Sequence, residues 1–139
     1  AAMNVFNLKP DAAVAVDVTH ATDTPGVDAK EHGEIKMGKG PAITIGREHH
    51  PVVVERLRAA ARKKKIPVQI EAFSLTGGTD AMVIHNKNGG VPSGLVSIPN
   101  RYMHTTVEML DLRDLEAAAK LLAEFLLDLK KGQRFEVKI

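Results

Sequence analysis

Two stretches decide the fold: Ala13-Val14-Ala15-Val16-Asp17-Val18-Thr19, and far downstream Leu95-Val96-Ser97-Ile98-Pro99 followed by Asn100-Arg101-Tyr102-Met103-His104. Each places a metal-binding type of side chain after an apolar run, a carboxylate in the first and an imidazole in the second. Short, unbroken apolar runs of small and β-branched residues predict strands buried on both faces. Open α/β sheets build their sites in the crevice at the carboxyl ends of such strands. Ala12 to Val18, bounded by Pro10-Asp11 and by Thr22 to Gly26, therefore reads as a buried central strand ending at Asp17, and Gly94 to Ile98 as a second buried strand.

Outward from these, Thr24-Pro25-Gly26 opens a polar loop, and Glu34 to Ile45 reads as short strands or a hairpin. Pro51 to Lys64 repeats Val53, Val54, Leu57, Ala60 and Ala61 at helical spacing, with proline in the first turn and a basic end that suits the helix dipole. Val68 to Phe73 alternates as a strand beside a partly buried face. Thr76-Gly77-Gly78-Thr79-Asp80 predicts a glycine turn leading into a short helix from Ala81 to His85. Asp114 to Lys130 is the clearest helix, its stripe made of Leu115, Ala118, Ala119, Leu122, Phe125, Leu126 and Leu129. Phe135 to Ile139 alternates as a final strand. Strands alternating with helices predict an α/β fold with a mixed, mostly parallel sheet flanked by helices.

The 139 residues fit one domain, and 44% of them are apolar, enough for a continuous core. No stretch reaches the roughly 20 apolar residues of a membrane helix, no secretory pattern opens the sequence, and a cytoplasmic protein is the expectation. With no cysteine, any metal must be held by histidine and carboxylate. A net charge of +2 with interspersed signs implies no obligatory polyanion, and 4% aromatic residues with no Trp argue against a base- or sugar-stacking surface.

Taken singly, each candidate has a bland reading. Asp17 serves as a ligand, a catalytic group or a cap for the next turn, and a lone histidine such as His104 is commonly structural. For His49-His50 the structural reading is preferred, because neighbours on a strand face opposite ways and Pro51 marks a helix start. His20, His32 and His85 are scattered and carry no assignment. Neither Gly77-Gly78-Thr79-Asp80 nor Met37-Gly38-Lys39-Gly40-Pro41 has the lysine and hydroxyl residue of a phosphate loop. Arg62-Lys63-Lys64-Lys65 reads as a solvated helix end.

In combination the motifs are more specific. Asp17-Val18-Thr19 with Asp23 and Pro25-Gly26, then Gly38-Lys39-Gly40-Pro41-Ala42-Ile43, His50-Pro51, Ile66-Pro67-Val68-Gln69, Gly77-Gly78-Thr79-Asp80-Ala81, Gly90-Val91-Pro92-Ser93 and Arg101-Tyr102-Met103-His104 follow one another in register. Together they resemble the dinuclear metallo-aminopeptidases, which include glutamyl and deblocking aminopeptidases and the self-compartmentalising TET particles, some of them labelled endoglucanase or cellulase. The resemblance runs from about Pro10 to the C-terminal helix.

It implies a metallopeptidase domain of the phosphorylase/hydrolase-like fold, two divalent ions (zinc or cobalt) and hydrolysis of N-terminal residues from peptide substrates. Asp17 matches the terminal carboxylate ligand of one ion and His104 the terminal imidazole of the other. Gly77, Gly78 and Thr79 match a substrate-side loop, and Glu108 a supporting glutamate. The family also needs a bridging aspartate, an N-terminal His-x-Asp and a Glu-Glu pair that includes the general base, and neither a His-x-Asp nor a Glu-Glu pair occurs in these residues. The resemblance thus implies the C-terminal half of a catalytic domain, without the inserted dimerisation domain, with no catalytic residue of its own and inactive alone. Its implied partners are the N-terminal half and further copies in a homo-oligomer, with no nucleic acid or membrane. Two alternatives stand beside it: a metal-free structural or interaction domain, and a glycosidase, for which a carboxylate pair across a cleft is needed and only Tyr102 could stack on sugar.

Overall fold

Every residue from Ser93 to Asn100 is buried, and this strand organises the molecule. In the computed structural model the described residues are 2–73 and 78–137, apart from the side chains of Glu31 and His32. In chain order the elements are α1 (Ala2–Leu8), β1 (Ala13–His20), α2 (Ala29–His32), β2 (Ala42–Ile45), α3 (Pro51–Lys64), β3 (Gln69–Ala72), α4 (Asp80–His85), β4 (Ser93–Arg101), β5 (Met109–Leu110) and α5 (Leu112–Leu127). The sheet order is β1-β4-β2-β3, with β5 on the end of β4. β1–β4 and β2–β3 are parallel over eight and four register pairs, while β2–β4 and β4–β5 are antiparallel over two each, so the sheet is mixed and mostly parallel as expected.

One face of this sheet carries α3 and α5. Val53, Leu57, Ala60 and Ala61 of α3 meet Ile43, Val96 and Ile98 of the sheet and Ala118, Leu121 and Phe125 of α5. Gly94 permits the close fit, since a Cβ there would lie 2.8 Å from Val53 Cγ1 and 3.3 Å from Leu57 Cδ1. α3 starts at Pro51 behind His50 and ends in left-handed Lys65.

Several expectations change. β1 is an edge strand, not a central one: it pairs only with β4 among the described residues, and Val16 is 51% exposed. An apolar run reports what faces it, not how many strands it pairs with, and the exposed side chain marks a face left open. The strand also runs on to His20, so Asp17 sits three residues before its end. Of the segment Glu34 to Ile45 only Ala42–Ile45 is a strand. The preceding loop is instead fixed by Asp114, whose oxygens accept from the amides of Gly38 at 2.6 Å and Gly40 at 2.7 Å. Gly40 is obligatory there, with φ +92° and Pro67 O 2.1 Å from any added Cβ.

α5 begins at Leu112, earlier than its apolar stripe suggested, because Asp111 caps it by accepting from the Arg113 amide at 2.8 Å. The Arg113 guanidinium, then its amide, hold the Asp111 carboxyl down at about 2, so the cap stays charged over the physiological range. The buried stripe is Ala117, Ala118, Leu121 and Phe125, while Leu115 and Leu126 are exposed. Residues 133–137 form no strand, and 138–139 lie outside the described part. Phe135 packs into the core instead, with the Arg56 guanidinium 5.7 Å from its ring centroid. α1, α2 and β5 had no clear sequence signal. Among the described residues no helix is long and apolar enough to cross a membrane.

Candidate functional site

The strand pleat sorts β1 into two faces. Val14 and Val16 point towards α5 and line an apolar groove with Leu122, Phe125 and Leu126. Asp17 and Thr19 point the other way and, with Leu95 and Ser97 of β4, floor a crevice of about 280 Å³. Asp17 lies beside Ser97 in the parallel register. The crevice is completed by Thr44 of β2, Glu48 and His49 from the loop after it, Glu71 and Phe73 at β3, Gly78 and Thr79 before α4, and His20, Met103 and His104. Asp17, His104, Gly78 and Thr79, singled out in the sequence, thus line one cavity; Gly77 lies outside the described residues.

His104 is presented by a turn with two left-handed residues, Tyr102 at φ +57° and His104 at φ +66°. Such a backbone costs of order 1–3 kcal/mol per residue and persists only where its surroundings enforce it. Here the Thr105 hydroxyl and amide both donate to Tyr102 O, at 2.6 and 3.1 Å. Glu108 accepts the His104 amide at 2.6 Å and Asn100 Nδ2 at 3.1 Å, and these two bonds, the amide first, push its carboxyl below the ordinary range. Arg101 grips Asp23 in a two-point contact of 3.2 and 2.6 Å, tying the end of β4 to the loop after β1. That guanidinium holds the Asp23 carboxyl down.

Sequence reasoning passed over much of this crevice. The His20 ring stands nearly perpendicular to that of His104, with centroids 6.4 Å apart. Glu71 accepts from the hydroxyls of Thr44, at 2.8 Å, and of Thr19 on the opposite edge strand. In β3 this acid is buried while neighbouring Ile70 is exposed, the reverse of a strand with a dry face. Of His49-His50, His50 sits at the N-cap of α3 and donates its amide to Ser93 O at 2.7 Å. His49 is a buried wall residue of the crevice, and both its ring nitrogens and His50 Nδ1 have no hydrogen-bond partner among the described residues. Burial pushes the His49 imidazole pKa down, against the opposing charges of Glu48 and Glu71. His32 lies in α2, and His85, at the end of α4, does not line the crevice.

Carboxylates, imidazoles and hydroxyls from β1, β2, β3 and the loops around them thus converge on one crevice, with Gly78 and Thr79 beside them. The profile of the M42 glutamyl aminopeptidase family matches residues 1–121, and the chain belongs to that family. It is 44% identical over 123 residues to a putative aminopeptidase of Acetivibrio thermocellus, covering 86% of this chain and 36% of that one. Among solved structures, it matches the TET aminopeptidase of Thaumarchaeota archaeon SCGC AB-539-E09 at 34% identity with a TM-score of 0.85, over 94% of this chain and 36% of that one. The TET1 peptidase of Pyrococcus horikoshii, which can assemble into a tetrahedron or a large octahedral shell, matches at 26% identity and TM-score 0.63, over 85% and 34%. The chain therefore spans about a third of the length of these relatives.

Proposed function

We propose that these residues form one wall of an aminopeptidase active site, and that the complete protein removes N-terminal residues from peptides. The carrying observation is that Asp17 and His104, from distant parts of the chain, line one crevice with Gly78 and Thr79. Among the described residues no group of three or more His, Asp or Glu side chains could hold a metal ion, so the donors present do not by themselves make a metal centre. Their types suit zinc or cobalt, and Asp17 and His104 would each give one donor to an ion completed by the rest of the catalytic domain. Such an ion, when bound, polarises a carbonyl and acidifies water.

The chain's own residues hold and orient. Glu108 and Thr105 fix the turn that presents His104, and the Arg101–Asp23 pair keeps that turn against the end of β1. Gly78 and Thr79 offer backbone to a bound peptide; the general base is supplied from outside these residues. The open edge of β1 and the apolar groove beside it are the surface the remaining domain would cover, since unpaired edges and apolar patches invite another chain. The likeness to a TET1 peptidase that assembles into a tetrahedron or a large octahedral shell supports a homo-oligomer for the complete protein.

The test compares residues 1–139 with the complete protein in amino-acid p-nitroanilide hydrolysis with added zinc or cobalt. The complete protein should turn over and the short chain should not. Comparable hydrolysis by the short chain would place the site elsewhere.

A further inference from the structure

The crevice runs along the face of the sheet, and the register of β4 sets its length. Asp17 lies beside Ser97. Nearer the start of β4, Ser93 O accepts the His50 amide at 2.7 Å and the Ser93 hydroxyl donates to Glu48 O at 3.2 Å, so the backbone on both sides of His49 is pinned there. Ser93 and Ser97 stand about 13 Å apart along the strand, at roughly 3.3 Å per residue. Leu95 and Thr44 line the cavity between these two points, which makes it continuous from Asp17 to His49.

A second, independent observation points to a ligand at the far end. His49 is 9% exposed on the crevice wall, and neither ring nitrogen is bonded among the described residues. Burial keeps the ring neutral, so it carries one N–H donor and one bare acceptor nitrogen. Buried polar groups are costly to leave without a partner. Phe73 lines the same end and gives it an apolar flank.

We propose that His49 binds the main chain of a peptide substrate downstream of the bond to be cut, so that this end of the crevice is a subsite for the body of the peptide. The proposal rests on the aminopeptidase reading above. An extended peptide advances at most about 3.5 Å per residue, so with its N-terminal residue at Asp17 and His104 it passes His49 at roughly its third residue. A peptide unit offers one N–H and one C=O whatever its sequence, the complement of a neutral imidazole. Glu48 and Glu71 line the crevice and no lysine or arginine does, so a free carboxyl terminus at this point is repelled and the subsite takes continuing or amidated chains.

The experiment uses the complete protein and two amidated substrates, leucyl-glycinamide and leucyl-glycyl-glycyl-glycinamide, which share the N-terminal residue and the bond that is cut. Hydrogen bonds to a buried group are lost with the shorter one, so the tetrapeptide should exceed the dipeptide in kcat/KM by roughly tenfold or more. His49→Leu, apolar and of similar size, should bring that ratio close to one. His49→Gln keeps a donor and an acceptor and should retain most of it, which a mere wall-filling role would not require. Calorimetric binding of the same two peptides with the first peptide bond reduced, and so uncleavable, reads the subsite without turnover. Equal rates on the two substrates, or a ratio that His49→Leu leaves untouched, would overturn the subsite and leave the aminopeptidase standing. Tighter binding of the longer analogue, lost in His49→Leu, with no hydrolysis of either substrate would support the subsite and overturn the activity. If the two analogues bind alike, the subsite is wrong whatever the rates.

Discussion

In the complete protein, Asp17→Ala and His104→Asn should each lower peptide hydrolysis to about one-thousandth or less while leaving the fold intact. A metal clamp at a reacting carbonyl is worth several kcal/mol, and each 1.36 kcal/mol is tenfold in rate, so losing a donor removes about three powers of ten. The folding cost is small because neither side chain is structural. Asp17 accepts the amide of its own neighbour Val18 at 2.8 Å, and His104 is exposed. Asparagine is the better replacement at position 104 because it tolerates the left-handed φ of +66°. The measurements are kcat/KM, circular dichroism and bound metal per chain. Either variant working at close to the parental rate with full metal content would remove that residue from the site.

Asp114→Ala should be the most damaging single change to stability, at about 3 kcal/mol or more. Asp114 is 1% exposed and accepts two backbone amides of the Gly38–Gly40 loop. Truncation leaves the buried Gly40 amide and the half-buried Gly38 amide without that partner, at about 1–3 kcal/mol each. A loss of that size lowers Tm by roughly 10 °C in a domain of this length. Asp114→Asn keeps one acceptor but turns an amide NH₂ towards the second donor, and should fall between alanine and the parent. A melting point within about 1 °C of the parent for Asp114→Ala would show that water satisfies the loop instead.

Much of the fold was legible because its signals are local. Pro51 to Lys64 carries a proline start and a full stripe, and the helix has those bounds. β4 is an unbroken apolar run and is buried along nearly its whole length. Pairing was less legible, since Ala12 to Val18 has a central strand's composition but an edge strand's place. The phase of α5 was misread because its apolar residues cover two sides: one packs on α3, while Leu115 and Leu126 on the other are exposed. In the crevice, Asp17 and His104 stood out through their motifs. Glu71 did not, because a buried acid in a short strand looks like an ordinary polar position until its neighbours are known, and Glu48 sits in a loop with no motif to mark it.

The sheet's register also sets the order of assembly. β2, α3 and β3 are contiguous, whereas β1 must find β4 across the whole stretch between Ala13 and Ser93. Closing a long loop is entropically dearer than closing a short one, and non-local pairing is slow. The β2-α3-β3 unit therefore nucleates, and β1 docks afterwards. Stopped-flow refolding should find Leu57→Ala slowing folding and Val14→Ala chiefly speeding unfolding; the reverse pattern would put β1 in the nucleus. Because the crevice takes side chains from both halves, it has no existence in the partly folded chain. In a nascent polypeptide of this kind the crevice forms last.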